Sequence, residues 1–282
     1  MSNTGKRGIG TAASTIGKAA ELGCPRTLVN DAARGLDEKE FFFVFQPKLR
    51  LQPGLLSGFE SLIRWRHPTY GVLMPSAFIE LVENSPLTQR FTEFAIAESA
   101  RVLASWTACG YGSLSLSINL PAQEIMRPGM ADELAVTLAS RAVRAERLQI
   151  EITESNDPGP IDMFASAVTS VRNMGVSVAI DDFGAGCWSL IALHRLSIDT
   201  IKLDRSFIRD IPENPESRAV VEALISLGRR LGKQVVIEGI ETEAQFAWLK
   251  TMTPVDCQGY YVSEPVQEAE ISGLVAKHGV LI

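Results

Sequence analysis

Short apolar segments alternate with longer amphipathic segments along most of this chain. Eight apolar segments have the length and the β-branched or aromatic content of strands, at residues 41–45, 55–63, 114–120, 148–153, 176–180, 200–203, 234–237 and 259–262. Eight strands alternating with helices over about 240 residues predict an α/β fold, a (β/α)8 barrel of the TIM type. An open doubly wound sheet would need a glycine-rich phosphate loop after its first strand, and the sequence contains none.

The first 36 residues differ in character from the rest. They are rich in Gly, Ser, Thr and Ala, and small side chains bury little apolar surface. We therefore predict a flexible tail or linker at residues 1–36 and a barrel domain at residues 37–282.

Composition excludes several classes of protein. The net charge is −6, with 27 basic and 33 acidic residues, which argues against a partner made of duplex nucleic acid. The four cysteines form no CxxC pair, so we expect free thiols in a reducing compartment. The sequence has no apolar run of about 18 residues and no secretory signal. We expect a cytoplasmic protein with no membrane span.

Polar side chains stand at the carboxyl end of seven predicted strands. They are Glu60, Asn119, Glu151, Asp181, Lys202, Glu238 and Gln258. Successive side chains of a strand point to opposite faces, so Ile150 and Ile152 facing outer helices would turn Glu151 into the barrel. The seven side chains would then meet at the mouth where such barrels place their active sites.

The predicted mouth is strongly acidic. Lys202 faces six carboxylates, those of Glu60, Glu151, Asp181, Asp182, Glu238 and Glu241. Six like charges repel unless cations neutralise them, and oxygen-only ligands suit Mg²⁺ or Mn²⁺. This number of carboxylates favours two ions, which together can hold a phosphate diester. A single strand-end carboxylate is more often a helix cap or an ion-pair partner, but seven aligned strand ends favour a site.

Several motifs in the chain resemble those of a known family. They are Phe45-Gln46-Pro47, Glu60-Ser61-Leu62-Ile63-Arg64-Trp65 with His67-Pro68, Asn119-Leu120, Glu151-Ile152-Thr153-Glu154-Ser155, Asp181-Asp182-Phe183-Gly184, Lys202-Leu203-Asp204-Arg205-Ser206-Phe207, Glu238-Gly239-Ile240-Glu241-Thr242 and Gln258-Gly259-Tyr260. Over residues 38–268 the chain resembles an EAL domain, the bacterial phosphodiesterase that hydrolyses cyclic di-GMP to linear pGpG.

The resemblance implies a barrel whose first strand is antiparallel to the others, and it implies a role for each motif residue. The implied metal ligands are Glu60, Asn119, Glu151, Asp181, Asp182 and Glu238, supported by Glu154, Glu241 and Gln258. The implied catalytic residues are Glu60, Lys202, which holds the attacking water, and Glu238, a candidate general base. Gln46, Leu62 and Arg64 match positions that grip the ligand. The implied reaction is hydrolysis of cyclic di-GMP by two-metal activation of water.

The sequence departs from the family pattern at two places. Ser61 replaces the usual alanine and adds a hydroxyl beside Glu60. Loop 182–189 has Ala185 where the family usually has threonine, which leaves the order of this loop and the reaction rate open.

Two other functions stay open beside hydrolysis. One is a catalytically weak or inactive receptor of the same fold, which would bind cyclic di-GMP and signal through a protein partner. The other is an unrelated Mg²⁺ barrel enzyme of the enolase type. A homodimer, and a sensor or regulator acting in trans, are further partners that the resemblance suggests.

Overall fold

The computed structural model describes residues 25–152, 161–184, 190–252 and 254–281. Three predictions lie outside these ranges: the role of Glu154, the altered part of the loop from Ala185 to Trp188, and the first 24 residues of the predicted tail.

Within the part of the chain that the structure describes, nine strands form one sheet. They are β1 Phe41–Arg50, β2 Leu55–His67, β3 Gly71–Leu73, β4 Ser115–Leu120, β5 Leu148–Ile152, β6 Ser177–Phe183, β7 Thr200–Leu203, β8 Gln234–Ile237 and β9 Asp256–Cys257. The order is β1-β9-β8-β7-β6-β5-β4-β2, and β1 also pairs with β2, which closes an eight-stranded barrel. Strand β1 is antiparallel to β9, whereas β2 and β4 to β9 are parallel neighbours. Strand β3 adds a hairpin to β2. The predicted barrel and its antiparallel first strand are confirmed.

Helices connect most of the strands. They are α1 Pro25–Asp37, α2 Ile79–Glu83, α3 Thr88–Ala108, α4 Ala122–Ile125, α5 Met130–Ser140, α6 Ile161–Asn173, α7 Leu190–Arg195, α8 Pro215–Arg230, α9 Glu243–Leu249 and α10 Ile271–His278. Short 3-10 turns occur at Pro75–Ala77, Ala145–Arg147, Arg205–Phe207 and Glu268–Glu270. Among the described residues, none of the helices combines the length and apolar character needed to cross a membrane.

The structure adds to the sequence prediction in two places, at the last strand of the barrel and in the segment before its first strand. The strand predicted at 259–262 is wrong, since the last strand is Asp256–Cys257 and a turn follows it. The aromatic and branched side chains of that segment resemble a strand, yet Tyr260 is 62% exposed. A Cβ on Gly259 would lie 2.3 Å from the backbone N and O of Ile240, so only glycine allows this close approach. Helix α1 spans the predicted boundary at residue 36, and its Ala32 is fully buried.

The described residues divide into two compact units. The first comprises 25–42 and 64–88, and the second comprises 43–63 and the described part of 89–281. In the first unit, α1 packs against α2. The rings of Phe41 and Trp65 stack with their centroids 4.9 Å apart, and Trp65 Nε1 donates a hydrogen bond of 2.8 Å to Glu40. Nδ1 of buried His67 accepts bonds from the backbone N–H groups of Thr69 and Tyr70, which fixes the hairpin turn.

The second unit contains the larger core. Ile150 and Ile152 of β5 are fully buried and belong to one apolar cluster with Phe164 and Val168 of α6. Burying each such side chain contributes about 1.5–3 kcal/mol. Because side chains alternate along β5, this packing turns Glu151 toward the barrel interior, as predicted.

Arg147 ties together the backbone that precedes β4. Its buried guanidinium donates hydrogen bonds to the carbonyl oxygens of Leu114 at 2.9 Å, Leu103 at 3.0 Å and Tyr111 at 3.1 Å. These three bonds connect the last turns of α3, the loop after it and the start of β4.

We expect Arg147→Leu to lower the free energy of unfolding by about 2–4 kcal/mol, because buried carbonyl groups lose their donors. Arg144→Leu is the matched control, since Arg144 is exposed and its hydrogen bond to Gly112 O is long, at 3.3 Å. Urea unfolding followed by circular dichroism measures both. Equal losses in the two variants would contradict the structural role of Arg147.

Candidate functional site

The parallel strands present polar side chains at their carboxyl ends. Glu60, Asn119, Glu151, Asp181 and Lys202 lie on β2, β4, β5, β6 and β7. Glu238 and Gln258 follow β8 and β9 directly. The sequence predicted these seven positions, and the structure brings their side chains together.

Lys202 is at the centre of this group. Its Nζ lies 2.6 Å from Glu151 Oε2, 2.7 Å from Glu238 Oε1, 2.9 Å from Asp181 Oδ1 and 3.3 Å from Glu60 Oε2. The lysine side chain is 1% exposed and that of Glu151 is fully buried. One ammonium group therefore compensates four carboxylates at the mouth of the barrel.

This arrangement shifts the pKa values of the group in different directions. Burial raises the pKa of Glu60 and of Asp181, and repulsion from Glu151 adds to the rise while Lys202 opposes it. Burial raises the pKa of Glu238 well above its usual range. Burial also opposes ionisation of Glu151, but Lys202 and Lys48 outweigh it and lower that pKa to about 2. The four carboxylates outweigh the effect of burial on Lys202 and raise its pKa, so it stays charged.

Hydrogen bonds orient Glu60. Asn119 Nδ2 donates to its Oε1 at 2.8 Å, and Gln258 Nε2 donates to its Oε2 at 2.7 Å. Gln258 Nε2 also donates to Gln46 Oε1 at 2.9 Å, which places the predicted ligand-binding Gln46 beside the group. The additional hydroxyl of Ser61 donates to Ser117 O at 2.8 Å, so this departure from the family pattern leaves no unpaired buried donor.

The carboxylates form two overlapping oxygen clusters. Glu60, Glu151 and Asp181 each offer an oxygen within 4.8 Å of the others, and so do Asp181, Asp182 and Glu238. Asp182 has a left-handed backbone, with φ of 49°, and its N–H donates to Asp181 Oδ1 at 3.0 Å. Such a conformation costs a residue other than glycine about 1–3 kcal/mol and is frequent at functional sites.

These clusters fit hard divalent cations. The donors are carboxylate oxygens, which Mg²⁺ and Mn²⁺ prefer. Gln258 Oε1 is buried and has no hydrogen-bond partner among the described residues. A buried polar atom of this kind needs a partner, and a bound ion or its water can supply one.

A cavity of about 460 Å³ opens beside the clusters. Eight of its described lining residues were predicted as site residues, namely Gln46, Glu60, Leu62, Asp181, Asp182, Glu238, Glu241 and Gln258. Five others were not, namely Asp204, Arg205, Gly239, Gly259 and Tyr260. These five lie within the motifs Lys202–Phe207, Glu238–Thr242 and Gln258–Tyr260, so their nearness to a site residue was the available signal.

The remaining predicted residues have different positions. Glu151 lies against Lys202 and is not part of the cavity lining. Asn119 contacts the site through the hydrogen bond that its Nδ2 donates to Glu60 Oε1. Arg64 is buried in the first unit, and its predicted contact with a ligand stays a prediction.

The sequence matches the family model of the EAL domain over residues 29–265. It is 31% identical over 249 residues to the bifunctional diguanylate cyclase/cyclic di-GMP phosphodiesterase MucR of Pseudomonas aeruginosa, across 88% of this chain and 36% of that protein. It is 36% identical over 227 residues to the cyclic di-GMP phosphodiesterase NbdA of the same species, across 80% and 29%. The chain thus spans about a third of the length of these curated relatives.

Solved structures show the same relationship. The PaMucR phosphodiesterase in complex with c-di-GMP superposes with a TM-score of 0.81 at 31% identity, across 87% of this chain and 99% of that one. An EAL domain protein from Listeria monocytogenes superposes with a TM-score of 0.78 at 29% identity, across 88% and 97%. Sequence, barrel topology and strand-end side chains agree, and the chain belongs to the EAL domain family.

Proposed function

We propose that this chain hydrolyses cyclic di-GMP to linear pGpG with the help of divalent ions, Mg²⁺ or Mn²⁺. The observation that carries the proposal is the group of four carboxylates around Lys202 beside the cavity. Relatives that share about a third of the sequence are named cyclic di-GMP phosphodiesterases. A chain that only binds the dinucleotide would have no use for so many buried carboxylates, whose mutual repulsion is costly.

The two clusters suggest which residues hold the ions. Glu60, Glu151 and Asp181, with Asn119 beside Glu60, would hold one ion, and Asp181, Asp182 and Glu238 would hold the second. Glu241 and Gln258 support them from the cavity wall. Bound ions would polarise the phosphate oxygens and lower the pKa of water.

Residues of the chain position the other reactants. Lys202 would donate a hydrogen bond to the attacking water. Glu238, whose Oε1 is 2.7 Å from Lys202 Nζ, would accept a proton from that water. Attack of the water oxygen at phosphorus would break the bond to O3′, which leaves as a hydroxyl after taking a proton from solvent, and would leave the 5′-phosphate on pGpG. Gln46 and Leu62 line the cavity where the dinucleotide would lie. We further propose that Arg64 grips a phosphate, since a guanidinium pairs well with phosphate oxygens.

The receptor hypothesis makes a different prediction for the same site. A receptor would bind cyclic di-GMP with no product formed, and its binding would not depend on the carboxylate clusters. A homodimer and a regulator in trans stay predictions.

We expect the purified chain to convert cyclic di-GMP to pGpG with Mg²⁺ or Mn²⁺, to lose activity in EDTA, and to be inhibited by Ca²⁺, which prefers more ligands and longer bonds.

Glu60→Ala should lower kcat by at least about 100-fold, the loss typical of a missing electrostatic group. Glu222→Ala, at an exposed position of α8, is the control. Chromatography of the nucleotides measures turnover. Binding of cyclic di-GMP by the wild type without pGpG would favour the receptor, and full turnover in EDTA would contradict the metal role.

The raised pKa values of Glu60, Asp181 and Glu238 predict that ion binding releases protons. A carboxyl group with a raised pKa keeps its proton to a higher pH, and an ion must displace that proton. Affinity for Mn²⁺ should therefore keep rising with pH above the range in which ordinary carboxyl groups titrate. Calorimetry at one pH in two buffers of different ionisation enthalpy counts the released protons. Asp181→Asn should reduce both the affinity and the proton count, whereas heats independent of the buffer would refute the prediction.

Arg205 is the only cationic side chain among the described residues that line the cavity. Gly239 makes room for it, since a Cβ there would lie 2.3 Å from Arg205 Cβ. We expect Arg205→Ala to raise the KM for cyclic di-GMP about 10-fold with little change in kcat, because a charge-assisted contact to the anionic substrate is lost. Arg209→Ala removes an exposed arginine outside the lining and should leave KM unchanged. If Arg205→Ala lowers kcat alone, Arg205 does not hold the substrate.

A further inference from the structure

A second lysine is buried inside the barrel of the second unit. Lys48 lies on β1 and is 4% exposed. The strand-end pattern did not include it, and the reaction proposed above does not use it. Burial of an ammonium group is costly unless neighbours pair with it, so its contacts require an explanation.

Lys48 belongs to a set of hydrogen-bonded polar side chains. Its Nζ donates to Ser117 Oγ, to Gln149 Oε1 at 3.0 Å and to Glu151 Oε1 at 3.4 Å. Gln149 Nε2 in turn donates to Ser177 Oγ at 3.0 Å and to Thr200 Oγ1 at 2.9 Å. We call this set the polar layer, composed of Lys48, Ser117, Gln149, Ser177 and Thr200.

The polar layer lies one step deeper than the carboxylate site. Ser117 precedes Asn119 by two residues on β4, Gln149 precedes Glu151 on β5, and Thr200 precedes Lys202 on β7. A spacing of two residues keeps both side chains of each pair on the inner face of the barrel. Branched apolar side chains usually fill such a barrel interior, so a polar layer beneath a site indicates a function connected with that site.

Glu151 is the point where the two layers meet. Lys202 Nζ is 2.6 Å from its Oε2, and Lys48 Nζ is 3.4 Å from its Oε1. The two oxygens are thus held by different lysines, one in each layer. With both oxygens fixed, the plane of the carboxylate and the direction of Oε2 toward Lys202 are fixed as well.

We propose that Lys48 is a positioning residue that holds Glu151 from beneath in the orientation that receives a divalent ion. This inference rests on the metal role of Glu151 in the proposed function. Partners of metal ligands act in this way in other proteins, where their loss typically costs about 10–100-fold in metal affinity or activity.

The charge of Lys48 and its positioning effect act in opposite directions. A nearby ammonium group repels a cation, so its removal by itself would tighten ion binding. Loss of a correct carboxylate orientation would weaken ion binding. The sign of the change in affinity therefore separates positioning from charge alone.

The experiment measures the Kd for Mn²⁺ by electron paramagnetic resonance in protein without substrate, and thermal unfolding in EDTA. Lys48→Met should bind Mn²⁺ at least about 10-fold more weakly than wild type. Its unfolding temperature should be lower, since one partner of the buried Lys48–Glu151 pair is removed, and the two Kd values are therefore compared at a temperature where both proteins are folded. Gln149→Met removes an anchor of Lys48, changes no charge and leaves the Lys48–Glu151 pair in the sequence, so it should weaken Mn²⁺ binding in the same direction by a smaller factor.

Gln234→Met is the matched control. Gln234 accepts a long bond of 3.4 Å from Thr200 Oγ1, is exposed and makes no bond to Lys48. Its Kd should equal that of wild type. Equal or tighter Mn²⁺ binding by Lys48→Met overturns the inference, and should that variant fail to fold, unchanged binding by Gln149→Met overturns it. A wild-type chain that binds no Mn²⁺ would instead overturn the proposed metal role itself.

Discussion

The ammonium group of Lys202 is the interaction on which the site depends. Four carboxyl groups, at or just after the ends of four strands, lie within 3.3 Å of its Nζ, and in a partly buried space these groups would repel one another strongly without a cation or protons among them. Because the strands are parallel neighbours, their carboxyl ends bring these groups to one place, and the lysine on β7 supplies the compensating charge. The barrel thus provides the geometry, and Lys202 makes the concentration of negative charge tolerable.

The same compensation explains why the carboxylates differ from each other. Glu151 contacts two lysines and has a pKa of about 2, whereas Glu238 shares one lysine with three other acids and has a raised pKa. Chemically identical Glu side chains therefore hold their protons very differently within a few ångströms. An ion bound as proposed would find one anionic ligand in the buried Glu151, and the carboxyl groups with raised pKa values would give up protons to it.

Much of this site follows from the sequence because the pattern that encodes it is local. An apolar strand that ends in a polar residue predicted Glu60, Asn119, Glu151, Asp181 and Lys202, and alternation along β5 predicted the inward direction of Glu151. The strand-end pattern did not predict Lys48, because β1 runs in the opposite direction and extends to Arg50, five residues beyond the end predicted for the first strand. The last strand was misplaced because it has only two residues, too few for any periodicity. The contacts of Arg147 join segments up to 44 residues apart, which no local pattern encodes.

The direction of β1 has a consequence for how the interior is built. Every parallel strand runs from the depth of the barrel toward its mouth, whereas β1 enters at the mouth and descends. Gln46 and Lys48 therefore lie on one face of β1, with Lys48 deeper in the barrel. Gln46 contacts Gln258 near the cavity, and Lys48 contacts Glu151 below it. A shift of β1 by a single residue would turn both side chains away from the interior at once. The alignment of this one strand thus couples the ligand end of the cavity to the support beneath it.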